Sequence, residues 1–160
     1  MNARLAWSSE AARRTGNSSR CCVPPSERDP SSPPLIWVDF VDAGHARVME
    51  LEQFLESLAP FVRPGVEAAI DALFDRATTG GLWEATDTST EIRPITQNPE
   101  LYEFRVPVNT TALRFYHGEP THEPDELWKL HRHIKVSKKA QQVEIDYAAR
   151  RYEAALAGEV

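Results

Sequence analysis

The chain has 160 residues, 41% hydrophobic and 26% charged, a one-domain length with enough apolar material for a single core. It holds no run of about eighteen apolar residues, and MNARLAWSSEAARRTGNSSR lacks the apolar centre of a secretory signal; a membrane-spanning helix is excluded and a cytoplasmic location expected. The net charge of −6 speaks against a uniformly basic nucleic-acid binder, but residues 35–100 hold four Arg or Lys against twelve Asp or Glu, whereas residues 127–152 hold seven against two.

Residues 1–34 are rich in Ser, Arg and Pro and close on CCVPPSERDPSSPP. So few large apolar side chains cannot offset the entropy of ordering, and the segment is expected to be a disordered or non-native tail in front of a domain at 35–160. Cys21 and Cys22 are adjacent, a spacing that rarely meets disulfide geometry, and read as incidental thiols.

LIWVDFV (35–41) has the β-branched and aromatic composition of a strand. Val48, Leu51, Phe54, Leu55 and Leu58 then recur at helical spacing, ending at Pro60. A second helix follows Pro64, with Val66, Ile70, Leu73, Phe74 and Ala77 on its stripe and Gly80 and Gly81 as its stop. The two predict a helical hairpin with an acidic outer face. Residues 82–99 show no period and read as a long loop. Strands are expected at 101–106, 112–117 and 127–136, the first pair joined through Asn109 and Thr110, and the chain closes on a helix over about 140–157 with Ile145, Ala148, Tyr152 and Leu156 on its stripe. The fold class is α+β, in the order β-α-α-β-β-β-α: a small mixed or antiparallel sheet with the helical hairpin packed on one face. Phe54, Leu55, Leu73, Phe74, Phe104, Phe115 and Leu130 are the expected core.

Side chains alternate across a strand, so each strand divides into two faces. Tyr102, Phe104 and Val106, then Leu113, Phe115 and His117, then Trp128, Leu130, Ile134 and Val136 form apolar sets, with Arg132 a misfit in the last. The opposite sets place Arg105, Arg114, Tyr116, Lys129, His131, His133 and Lys135 on one side. That grouping suits cleavage of an RNA phosphodiester. Attack by the ribose 2′-hydroxyl needs a base and an acid, roles that histidine can fill near neutrality, while arginine and lysine stabilise the charge that accumulates in the transition state. Tyr116 adds a platform for an unpaired base. His131 and His133, with His117 or His122 as a third donor, have a spacing that permits a metal site, but no Cys or carboxylate-rich motif accompanies them; neither metal nor cofactor is expected.

The stretches LYEFRVPVNTTALRFYHG and LWKLHRHIKVSKKAQQVEIDYAARRYEAAL resemble the RelE/ParE toxin superfamily, in particular its HigB-like, phage-associated branch. The matching positions are Leu101, Glu103 and Arg105; Arg114 and Tyr116; Leu130 and His131; Lys135 and Lys139; and Glu144 with Ile145. The resemblance extends over residues 35–157. It departs at His133, where an apolar aromatic is usual, and at Gln141, where a proline is usual. It implies a type II toxin that cleaves mRNA, often on the ribosome, held inactive by a cognate antitoxin and reaching operator DNA only through that antitoxin. The carried-over site has His131, Arg114, Arg105 and Lys135 as catalytic residues and Tyr116, His133, Lys138 and Lys139 as RNA contacts. The same scaffold serves topoisomerase-poisoning, ParE-like toxins and would also serve an inactive antitoxin-binding or DNA-binding module.

Overall fold

A computed structural model of the chain describes residues 31–80, 82, 91–95, 98 and 100–160. The expected disordered tail lies outside these residues except for 31–34, as does most of the expected 82–99 loop. Strand β1 (Ile36–Asp39) leads to helices α1 (Ala46–Ser57) and α2 (Arg63–Thr78). Strands β2 (Ile92–Pro94), β3 (Leu101–Val108), β4 (Thr111–Gly118) and β5 (Glu126–Lys135) follow, and helix α3 (Lys138–Leu156) comes last. The sheet has five strands in the order β1-β5-β4-β3-β2; β1 runs parallel to β5 and the other pairs are antiparallel. The fold is therefore α+β with a mixed sheet, as expected, but the order is β-α-α-β-β-β-β-α. The added strand is β2, read from the sequence as loop: three residues, one of them Pro94, carry no alternation by which to be recognised.

Local chemistry accounts for the element ends. The His45 side chain accepts from Arg47 N at 3.2 Å and caps α1. Pro64 stands in the first turn of α2, where its missing N–H costs nothing. Asn109, at φ 53, makes the tight β3–β4 turn in the left-handed region that asparagine tolerates.

Two cores lie on opposite faces of the sheet. Helices α1 and α2 cover one, with Leu51, Leu55, Ile70, Leu73 and Ala77 against Tyr102, Phe104, Val106, Leu113, Phe115 and Leu127. Of the stripes predicted for the hairpin, Val48, Leu51, Leu55, Ile70, Leu73 and Ala77 are buried, and Phe54, Leu58, Val66 and Phe74 are partly buried against this core. Helix α3 covers the other face, packing Ala148, Tyr152 and Ala155 on Leu101, Tyr116, Trp128 and Leu130. Leu156, expected on the stripe, is exposed, and the buried line instead runs Gln141, Glu144, Ala148, Tyr152 and Ala155.

A β-bulge corrects the reading of β5. Tyr116 pairs with His131 but His117 pairs with Lys129, so Leu130 is an extra residue and the alternation changes phase there. Trp128 and Leu130 consequently join the α3 core rather than the hairpin core. Lys129 leaves the basic set for the hairpin face, where its Nζ lies 5.1 Å from the centre of the Phe74 ring and 5.9 Å from that of Trp37. Arg132, the misfit, is on that face too and pairs with Glu52 of α1 at 2.7 Å.

Candidate functional site

Beyond the bulge the predicted grouping stays in phase. Arg105, Arg114 and His133 lie directly across from one another on β3, β4 and β5, and Glu103, Tyr116 and His131 form the next row. These six residues share the face under the N-terminal half of α3. That half is polar where it meets the sheet: Gln141 donates to Glu103 Oε2 at 2.7 Å, and Glu144 Oε2 lies 2.7 Å from His131 Nε2. The face expected to be open is thus roofed, and Tyr116, His131 and His133 are all 2% exposed or less.

The two histidines are committed to internal bonds. His133 Nε2 contacts the Tyr116 hydroxyl at 2.9 Å and its Nδ1 faces Ile134 O at 3.0 Å. Burial pushes the His133 imidazole down to about 4 and pushes the Tyr116 phenol well above its ordinary value. His131 is lowered by burial and then by His45, Arg132 and Arg151, with Asp42 opposing the shift; the Glu144 carboxylate that faces it also meets Arg47, whose Nε lies 3.6 Å from Glu144 Oε1. His131 Nδ1 is buried and has no hydrogen-bond partner among the described residues. Neither imidazole meets solvent, so neither is placed to exchange protons with a bound polymer.

The cations behave differently. Arg114 is 7% exposed, hydrogen-bonds to Leu113 O at 2.9 Å, leaves Nε buried without a partner and forms no ion pair among the described residues. Burial lowers its pKa and Arg105 adds to the effect, while Glu103 opposes it. Arg105 itself donates to Glu103 Oε1 at 2.6 Å. Lys135, half-buried, is held below the usual lysine value by desolvation and by Arg114, Arg105 and Lys138. Four cations therefore feel one another at the mouth of the roofed face. Ser137 caps α3 by accepting from Ala140 N at 3.1 Å, and the exposed Lys138 and Lys139 fill a first turn that has no acidic residue. Positive charge at a helix N-terminus opposes the helix dipole. The placements of Arg114, Lys138 and Lys139 are unfavourable in an empty protein and favourable around a bound anion.

The alternation read from the sequence puts Arg105, Arg114, Tyr116, His131 and His133 on one face, as observed, but wrongly adds Lys129 and gives no tertiary role to Glu103, Gln141, Glu144 or His45, which tie the roof to the sheet. Alternation alone puts Glu103 beside Arg105 on the basic face; nothing local signals that Glu144 and His45, on α3 and on the loop before α1, close over His131. Comparison with protein-family models, with curated proteins and with solved structures returns no match.

Proposed function

We propose that the chain binds RNA phosphate at Arg105, Arg114, Lys135 and Lys138 and cleaves the strand by attack of the neighbouring 2′-hydroxyl, as a toxin of the RelE/HigB kind. The observation that carries this reading is the buried, ion-pair-free guanidinium of Arg114 within a cluster of further cations at the N-terminus of α3. A buried charge without a counter-ion is costly, and a phosphate supplies both the charge and the bidentate acceptors that a guanidinium fits. Arg114 and Arg105 stabilise the phosphorane-like charge, and Lys135, half-exposed and of lowered pKa, takes the proton of the attacking 2′-hydroxyl and returns it to the 5′-oxygen as the P–O5′ bond breaks. His131 and His133 shape the face from inside. The residues Leu101 to Arg105, Arg114 to Tyr116 and Leu130 to Lys135 support the family reading. With that reading come a cognate antitoxin as partner, mRNA and the ribosome as targets, and a cytoplasmic location; among the described residues no helix is long and apolar enough to cross a membrane.

A second reading, an RNA-binding module without catalysis, is favoured by the burial of both histidines. One assay separates the two. Purified protein with a labelled single-stranded RNA, in chelator, yields fragments ending in a 2′,3′-cyclic or 3′-phosphate if cleavage is by 2′-hydroxyl attack, and Arg105→Ala and Lys135→Ala each slow it about 10²-fold or more. Salt-sensitive binding of intact RNA selects the module. Broken chromosomes with intact mRNA after induced expression select the topoisomerase-poisoning relative.

A further inference from the structure

Three donors meet on the same face, at the row of His131 next to the row that holds Arg105, Arg114 and His133. His45 lies on the loop before α1, His131 on β5 and Glu144 on α3, and one ligating atom from each falls within 4.8 Å of the other two. The His45 and His131 rings stand edge to face with centroids 4.8 Å apart, and Tyr147 closes on both at 4.3 and 4.6 Å. His45 keeps one ring nitrogen for the α1 cap and has the other to offer. His131 carries a buried Nδ1 that has no partner among the described residues, so this imidazole has bonding capacity that they do not use. Arg47 touches only the second Glu144 oxygen, at 3.6 Å, and is held to Glu50 at 2.9 Å.

We infer that His45, His131 and Glu144 form a binding site for a divalent transition-metal ion, of which zinc is the best fit, that fastens α3 and the α1 loop to the sheet. Two imidazoles and one carboxylate are a donor set that zinc accepts, with its fourth position left to water. Tetrahedral zinc at about 2.0–2.2 Å from each donor needs donors about 3.4 Å apart, so the widest pair closes by at most roughly 1.4 Å, a movement that the partly exposed His45 can make with its loop, and the 2.7 Å contact of His131 Nε2 with Glu144 Oε2 gives way to the ion. The donors come from segments nearly a hundred residues apart in the chain, so the ion acts as a cross-link of the roof. RNA cleavage, which the cation cluster serves, proceeds without it.

The test uses the full chain, stripped of metal and dialysed free of chelator, titrated with ZnCl2 by calorimetry and with CoCl2 by visible absorption. One ion is expected per chain, with cobalt d–d bands and no thiolate charge-transfer band, and with a zinc-dependent rise in Tm. His45→Asn, which keeps an N-cap acceptor, and Glu144→Gln, which keeps a hydrogen-bonding group, each weaken binding at least about 100-fold, the upper end of what losing a partner outside the coordination sphere does. Cys21→Ser/Cys22→Ser and His122→Ala bind as the unaltered chain does. No saturable binding below millimolar zinc overturns the inference. So does a thiolate band, loss of binding in the cysteine variant, or unchanged affinity in either His45→Asn or Glu144→Gln.

Discussion

The two faces of one sheet solve opposite problems. Under α1 and α2, Trp37, Phe74, Phe104 and Phe115 pack ring against ring at centroid distances of 4.9–6.1 Å, and Arg132 has a counter-ion in Glu52 at 2.7 Å, although its Nε is buried without a hydrogen-bond partner among the described residues. Under α3 the packing is split. Its C-terminal half seals Trp128, Leu130 and Tyr152, and the Tyr152 hydroxyl donates to Glu100. Its N-terminal half instead encloses Arg114, His131 and His133 and leaves Arg114 Nε and His131 Nδ1 without partners. The first face is built for stability. Buried nitrogens without a partner occur on both faces, but only the second encloses a cation, Arg114, that has no counter-ion among the described residues, a placement that a stability-driven design would remove and that is expected where binding sets the sequence.

That contrast is broken most violently on the hairpin side. Phe104→Ala removes a fully buried ring from contact with Trp37, Phe74 and His117 and is expected to cost about 3–5 kcal/mol by chemical denaturation. Next comes the sealed half of the α3 face. A Cβ on Gly118 would stand 2.7 Å from Tyr152 Cδ2 and Cε2, so Gly118→Ala forces α3 outward and costs about 1–3 kcal/mol, read as a lowered denaturation midpoint with unchanged slope. The smallest effect has the opposite sign. Replacing Lys138 and Lys139 with Glu complements the helix dipole and raises stability by about 0.3–1 kcal/mol per site, while RNA affinity falls and its salt dependence flattens.

How much of this was readable from the chain follows from the range of each signal. Helical periods placed α1 and α2 because their stripes are local, and strand alternation put Arg105, Arg114, Tyr116, His131 and His133 on one face because alternation survives anything but a bulge. The bulge at Leu130 has no signature in LWKLHRHIKV, and it moved Leu130, Trp128 and Lys129 to the faces opposite those expected. The roof was invisible for another reason. Gln141 and Glu144 look like solvated residues of a polar helix start, and only the tertiary approach of α3 to Glu103 and His131 gives them partners. A site whose donors come from 45, 131 and 144 is written in the fold, not in any one segment.

Arg114 decides between a functional and a structural origin for the polar face, because it and Phe115 are neighbours on one strand and point to opposite sides. The direct measurement is thermal unfolding and RNA cleavage of Arg114→Met side by side. Methionine keeps the buried chain volume and removes the unpaired charge. We predict an unchanged or higher Tm together with a loss of cleavage of about 10²–10³-fold. A marked fall in Tm with cleavage at the original rate would contradict the account and make Arg114 part of the scaffold.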